Sequence, residues 1–317
     1  MCRFKGKVFL VTGGCGFIGS HLVNALDAGG ADVFVLDDLS TGNRANLVDC
    51  SNRVRLIESR VENYSFKSLP PIHGVFHLAA QVSAPMSINN FFESSSLNLV
   101  STLKIIDYSK SAKVPLIYAS SSAVYGNIPH GNENGEIDLL SPYAADKFMS
   151  EVYAKVSNSL YGLSSMGFRF FNVYGPRQDP KNSYSGVISI FIKNILEGSD
   201  ININGGYQTR DFVYVLDIVK CLIVGFDCLG QRQGAHVINV STGHSVNIDH
   251  LAKMIEEIVG VNVRRNLRNL SPGDPEVSLG SVVEMEKLLN VDSSAFIGLR
   301  DGLLRTVDWM KLAALKN

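Results

Sequence analysis

Tyr143 and Lys147 stand four residues apart, just after a helix start at Ser141-Pro142. At helical pitch that spacing puts both side chains on one face. A lysine ammonium beside a phenol stabilises the phenolate and lowers the tyrosine pKa. A tyrosine tuned in this way can take a proton from a sugar or alcohol hydroxyl. The spacing alone also occurs on solvated helices that perform no chemistry. Here it accompanies a glycine-rich turn near the N-terminus and a serine cluster, Ser120, Ser121 and Ser122, at the end of an apolar strand. The three features together specify hydride chemistry.

The glycine turn sits in the right context. An apolar run from Lys7 to Thr12 precedes it, and an amphipathic segment from Ser20 to Ala28 follows it. Gly13, Gly16 and Gly19 fit a GxxGxxG spacing, and Gly14, Gly16 and Gly19 also fit GxGxxG. Such glycines permit a tight turn and bring the amides around Phe17 and Ile18, at a helix N-terminus, to a pyrophosphate. A second strand, 32–36, ends in Asp37-Asp38. An acid there fits the adenosine ribose hydroxyls and repels a 2′-phosphate. No Arg or Lys follows until Arg44, so the pattern favours NAD over NADP.

The elements that must position these residues alternate. Further strands are expected at 54–58, 74–78, 116–120 and 165–171, and helices at 97–111 and 143–160. Alternation of this kind predicts an α/β fold with a doubly wound parallel sheet, the Rossmann arrangement. From about Asn172 the pattern changes to loop, with Asp179-Pro180 and Lys181 to Ser183. A helix is expected at 187–196, a strand at 236–240 that returns to the main sheet, a helix at 249–259, and a turn at Pro272 to Pro275. The expected division is a cofactor domain over 1–171 and a smaller α/β substrate domain over 172–317, with the substrate cleft between them.

Composition excludes several functions. The 317 residues carry a formal charge of −1, which gives no electrostatic case for nucleic acid or a membrane surface. No apolar run reaches transmembrane length, and the N-terminus moves straight into a core strand, so no secretory signal is expected. Five scattered cysteines form no metal spacing and read as reduced thiols, which points to a cytoplasmic protein without a metal centre.

The ordered motifs resemble the extended short-chain dehydrogenase/reductase family, in its nucleotide-sugar branch, almost end to end. They are the glycine turn with Phe17 and Ile18, His77 to Gln81, Tyr118 to Gly126, Tyr143 and Lys147, Phe171 to Arg177, Thr209 to Tyr214, and Pro272-Gly273-Asp274. The resemblance implies NAD contacts at Leu78, Ala79, Ala80 and Asn98. It places Ser121, four before Tyr125, at the family's catalytic Ser/Thr, at a strand end where open α/β sheets bind ligands. It implies substrate contacts at Ser83, Ser122, Asn172, Val187, Arg210 and Asp274, Arg210 holding the diphosphate as a guanidinium fork. An ion pair with Asp211 is the plainer role for Arg210. Ile188 and Phe191 face either a base or the core, and His77 reads as structural. The helices at 97–111 and 143–160 are those that pair across a two-fold axis in relatives, implying a homodimer.

The resemblance also discriminates among reactions. Family 4,6-dehydratases place Asp-Glu after the catalytic Ser/Thr, whereas this chain has Ser122 and Ala123, which cannot do that acid–base work. Transient C4 oxidation with return of the same hydride needs only Ser121, Tyr143, Lys147 and NAD. The expected activity is therefore NAD-dependent 4-epimerisation of a nucleotide sugar, a UDP-hexose or UDP-N-acetylhexosamine. A 4-keto reductase or C4 oxidase, a dehydratase-like enzyme and a non-catalytic dinucleotide sensor are the alternatives. The resemblance places the residue four after Asp274, here small Ser278, near the sugar's C2 substituent, and so implies room for an N-acetyl group that a tyrosine would exclude. The chain departs from the family at Ser59-Arg60-Val61, Phe170, Ser271 and Gly280. Arg60 is a candidate to stack on adenine, and Arg265 or Arg268 to replace an arginine at 271.

Overall fold

The structure is a computed structural model and describes residues 3–180, 186–270 and 274–315. Ser271, the Pro272-Gly273 half of the expected turn, and Lys181 to Ser183 of the expected loop lie outside the described residues. Along the chain run β1 Val8–Thr12, α1 Phe17–Ala28, β2 Asp32–Asp37, β3 Val54–Glu58, β4 Gly74–His77, α2 Ala84–Asn89, α3 Phe91–Ser95, α4 Ser101–Ala112, β5 Leu116–Ser121, β6 His130–Gly131, α5 Pro142–Tyr161, β7 Ser165–Phe170 and β8 Asn172–Tyr174. There follow α6 Val187–Leu196, β9 Ile201–Asn204, β10 Thr209–Tyr214, α7 Val215–Gln231, β11 Ala235–Val240, β12 Ser245–Asn247, α8 Ile248–Val259, β13 Arg265–Arg268, β14 Val277–Gly280, α9 Val283–Leu289 and α10 Leu299–Ala314.

Seven strands form one sheet in the order β11-β7-β5-β4-β1-β2-β3. The β1–β2, β1–β4, β2–β3 and β4–β5 pairs are parallel. Parallel strands covered on both faces read as near-continuous apolar runs. Accordingly Phe9, Leu10, Val11, Val33, Val35, Leu36, Val75 and Phe76 are fully buried. Strand order reverses between β1 and β4, the switch point beside which open α/β sheets bind nucleotides. The expected strand at 236–240 does join this sheet, as β11.

The chain divides into two compact units. The first comprises Met1–Val124, Leu139–Arg169 and Val219–Ile238, and the second Tyr125–Asp138, Phe170–Ile218 and Asn239–Asn317. Beyond the returning strand, 125–138 groups with the second unit and 219–235 with the first. The first stretch contains β6, which pairs with β14 of the second unit. In the second stretch Phe226 packs on Phe9 and Phe76 of the parallel sheet.

The helix expected at 97–111 is not one regular helix. A π-turn occupies Ser96–Val100, and α4 follows it. Ser101 Oγ donates to the Leu97 carbonyl and Thr102 Oγ1 to the Asn98 carbonyl. Side-chain hydroxyls bonded to the preceding turn loosen the regular ladder.

The second unit is built around β10. Its neighbours are β12 and β14, with β8 pairing in parallel along Phe212–Tyr214. Ile188, Phe191, Ile192 and Ile195 recur at helical spacing on α6 and meet Leu251 and Ile255 of α8 and Leu303 and Val307 of α10. β9 alternates Ile201 and Ile203 into this core with exposed Asn202 and Asn204.

Candidate active site

Gly13 lies at φ +69°, and a side chain there would press on the Ala79 backbone. The turn is therefore closed by glycine for two reasons, backbone sign and close approach. Gly19 packs directly on the Gly13 carbonyl. Gly16 starts α1 and supplies no capping side chain, so the amides of Phe17, Ile18 and Gly19 begin a helix with no side-chain partner. Leu78 N donates to the Thr12 carbonyl and Ala79 N to Thr12 Oγ1, which seats Leu78, Ala79 and Ala80 against the same turn.

Asp37, at the end of β2, is buried and accepts from Cys15 N at 2.8 Å and Leu39 N at 2.9 Å. Burial pushes its carboxyl up, and the two amides pull it back. Burial also pushes the Cys15 thiol up to about 12, so it is no nucleophile. Asp38 accepts from Ser40, and Arg60 lies among Asp38, Glu62 and Glu93 at 3.5, 3.8 and 3.1 Å. A turn closed by glycine, an uncapped helix start and a buried acid on the next strand fit a dinucleotide such as NAD.

The other cofactor-side residues are positioned rather than open. Asn98 Oδ1 accepts from Gln81 N at 2.8 Å and its Nδ2 donates to the Gln81 carbonyl at 3.0 Å, clamping the segment after β4. Ser83 Oγ accepts from Met86 N and caps α2. Thr102 donates to the Asn98 carbonyl, so its oxygen accepts from His77 Nε2 at 3.0 Å, and His77 Nδ1 accepts from Thr12 Oγ1 at 2.7 Å. Burial and the Lys147 charge lower His77 to about 3. His77 is a neutral link between β4, β1 and α4, as its sequence context implies.

Ser141 caps α5 by accepting from Ala144 N, and Pro142 takes its first turn. Tyr143 faces Ser121, the last residue of β5, whose hydroxyl favours the phenolate. Ser121 Oγ also accepts from Ala123 N at 3.1 Å. Lys147 Nζ lies 5.8 Å from the Tyr143 ring centroid and donates to the Ala119 carbonyl at 2.9 Å. Burial lowers the Lys147 ammonium to about 8, against the raising effect of Asp146. The sequence predicted a phenol drawn down by Lys147. Instead burial raises Tyr143, and the Ser121 hydroxyl pulls it back only in part. The Lys147 ammonium is directed at the Ala119 carbonyl and takes no part in that shift. Ser122 starts a 3-10 turn and is half-buried.

The second unit holds a cavity of about 260 Å³ lined by Asn172, Val187, Ile190, Phe191, Asn202, Asn204, Gln208, Arg210, Ile248 and Asp274. Of the residues expected at the substrate, it gathers Asn172, Val187, Arg210 and Asp274, while Ile188 is in the core. Arg210 pairs with Asp274, not with Asp211. Asp211 is turned instead to Thr242 and Gly243. Arg265 is held by Glu256 and Asp249, so it does not replace an arginine at 271. Arg268 is exposed on β13. Ser278 lies in β14 opposite Arg210 and is not part of the cavity wall. Gly280 is packed on Ser241 and Phe171, which leaves no room for the acid frequent in relatives.

Asn202, Asn204 and Gln208 escaped the sequence reading. The Ile-Asn-Ile-Asn alternation of β9 is the signal that would have found the first two. Gln208 Oε1 is buried without a hydrogen-bond partner and offers an acceptor to a ligand.

A family model described as the NAD dependent epimerase/dehydratase family matches residues 9–241. The chain belongs to this family. Its cofactor is NAD, and the glycine turn, helix start and Asp37 are the parts that fit it. The chain is 35% identical over 315 residues to a putative UDP-glucose 4-epimerase of Methanocaldococcus jannaschii, covering 96% of this chain and 98% of that one. It is 32% identical to a UDP-glucuronate 4-epimerase of Thermodesulfobacterium geofontis, covering 96% of each. The UDP-N-acetylglucosamine 4-epimerase of Methanobrevibacter ruminantium, solved with UDP-N-acetylmuramic acid, superposes with a TM-score of 0.91 at 34% identity, covering 98% of this chain and 99% of that one.

His77 gives a pH prediction. The folded protein keeps it neutral down to about 3, whereas the unfolded chain takes up the proton near the ordinary 6.5. Stability from this group is therefore present above 6.5 and lost as pH falls towards 3, at about 1.4 kcal/mol per pH unit. Urea unfolding across that window should show His77→Gln losing this slope. Identical slopes in parent and variant would refute the assignment.

Proposed function

We propose that this protein is an NAD-dependent 4-epimerase of a nucleotide sugar, a UDP-hexose or UDP-N-acetylhexosamine. One observation carries the reading. Tyr143, Ser121 and Lys147 are assembled at the end of β5, and the two residues after Ser121 bear no carboxylate. A dehydration at C5 and C6 needs such groups, whereas reversible C4 oxidation does not.

Each residue then has a task. Tyr143 takes the O4 proton and later returns it. Ser121, already facing the phenol, holds O4 and lowers the barrier to that transfer. Positioned acid–base groups contribute ~10²–10⁴-fold. When bound, NAD would supply the acceptor for the C4 hydride and the donor for its return to a keto sugar that has turned its other face, and its positive charge would favour the phenolate. Lys147 turns towards the cofactor's ribose hydroxyls, and Asp37 with Asp38 receives the adenosine ribose. Phe17, Ile18 and Gly19 receive the pyrophosphate on their amides. In the second unit Arg210 exchanges Asp274 for diphosphate oxygens, with Asn172 beside it, and Val187 and Phe191 give the base an apolar wall.

Val152, Tyr153, Val156 and Leu160 are exposed along α5, at helical spacing. Such a stripe suits a second copy of the chain. Among the described residues Cys15, Cys50, Cys221 and Cys228 are thiols and not disulfides, which supports a cytoplasmic setting. Among the described residues no helix is long and apolar enough to cross a membrane.

Three outcomes are expected. Incubation with UDP-, dTDP- and GDP-sugars, followed by NMR of the products, should show C4 inversion, and Tyr143→Phe should lower turnover ~10²-fold or more with NAD still bound. Turnover by the variant within a few-fold of the parent sinks the base assignment. The parent should accept an N-acetylated sugar, and Ser278→Tyr should reduce activity on that sugar selectively. Equal loss on plain and acetylated sugars would refute a role for Ser278 in sugar choice. Light scattering should give a dimer mass, and a monomer at micromolar concentration contradicts the α5 interface.

A further inference from the structure

Three consecutive residues of β5 each meet one residue on a single face of α5. The Ala119 carbonyl accepts from Lys147 Nζ. Ser120 Oγ donates to Glu151 Oε1 at 2.5 Å. The Ser121 hydroxyl faces the Tyr143 phenol and favours its ionised form. Tyr143, Lys147 and Glu151 are spaced by four, so they form one row along the helix. The row and the strand end make a ladder of three rungs.

Two of the rungs use groups that the chemistry needs. Tyr143 must exchange its partner for a substrate hydroxyl, and Lys147 must turn to the ribose. The third rung is closed. Glu151 and Arg169 are both buried, and Arg169 of β7 holds the carboxylate through Nε at 2.9 Å and a terminal nitrogen at 2.6 Å. A two-pronged guanidinium–carboxylate contact fixes the carboxylate plane as well as its distance. Ser120, Glu151 and Arg169 are all buried, which strengthens the hydrogen bond of the Ser120 hydroxyl.

We propose that Glu151, clamped by Arg169, is a positioning residue. By holding Ser120 it sets the register of β5 against α5, and with it the approach of Ser121 to Tyr143. The proposal rests on the reading of Tyr143 as the proton acceptor. A merely structural ion pair would stabilise the fold and leave the phenol's behaviour unchanged. A positioning role makes the phenol depend on a carboxylate two helical turns away. The phenol itself meets Ser121 of β5 and Lys147 of its own helix.

Two variants separate the cases. Ser120→Ala removes the third rung and keeps the Glu151–Arg169 pair. Glu151→Leu combined with Arg169→Met removes the rung while replacing the buried pair with apolar side chains, a swap that folds often tolerate. Thermal unfolding checks that each is folded. kcat and KM are measured on a sugar that the parent turns over. Tyr143 ionisation is followed by NMR in protein labelled at tyrosine Cζ, with Tyr143→Phe identifying its signal. We expect kcat to fall ~10-fold in each with KM unchanged within ~2-fold, because small misplacements of reacting groups act on the chemical step. Tyr143 should ionise at higher pH than in the parent, since the Ser121 hydroxyl that draws it down is less well placed. Parental kcat and a parental Tyr143 titration in folded Ser120→Ala would overturn the proposal. A parent that turns over no nucleotide sugar would overturn the proposed function instead, and the Tyr143 titration, which needs no substrate, would still decide the positioning.

Discussion

A phenol can take a proton only from a hydroxyl within hydrogen-bond reach, so the seating of α5 on the end of β5 constrains the rest of the first unit. That seating is made of unlike contacts. Lys147 reaches a backbone carbonyl, Tyr143 a serine hydroxyl, and Glu151 a second serine with an arginine behind it. The first two are single contacts that a ligand can replace. The last is charged, forked and buried, and is the contact least open to exchange. A site whose polar groups must change partners is therefore fastened by one that does not.

The cofactor side obeys a different constraint, which is closeness. Gly13 and Gly19 let β1, the turn and α1 approach within backbone contact of each other and of Ala79. Thr12, His77 and Thr102 then pass a directed set of hydrogen bonds from β1 to α4. With His77 neutral, this chain carries no charge into the sheet core. Asn98 completes it by holding Gln81 from both backbone directions, and the π-turn around Asn98 is the local distortion that accompanies that grip.

The second unit solves a binding problem with few charges. Among the described residues its cavity wall has one cation, Arg210, and that cation is paired with Asp274. Carboxamides from Asn172, Asn202, Asn204 and Gln208 supply most of the remaining polarity. Such a lining can donate and accept without a standing field, which suits a ligand that combines a neutral base, a diphosphate and a sugar. Asp211 beside Arg210 is withheld from the cavity because it is consumed by the Thr242-Gly243 turn.

Period and spacing alone determined much of this protein. Apolar runs gave the parallel strands, the glycine spacing with Asp37 gave the nucleotide turn, and the four-residue interval gave the Tyr143–Lys147 face, because each is a local pattern that backbone geometry reads directly. The returning strand at β11 was also legible as a strand candidate after the pattern changed. Other matters were decided only in three dimensions. The partner of Arg210 is 64 residues away, and no spacing rule favours Asp274 over adjacent Asp211. The sign of the Tyr143 shift depends on burial and on where the Lys147 ammonium points, which a sequence interval does not contain. The second unit recruits 125–138 through the β6–β14 pairing and through Tyr125, Gly131 and Glu133, which all bond Asn239 more than 100 residues away in sequence. Glu151 shares its helical row with Tyr143 and Lys147, so its face was readable, but Ser120 and Arg169 reach it only because β5 and β7 are neighbours in the sheet.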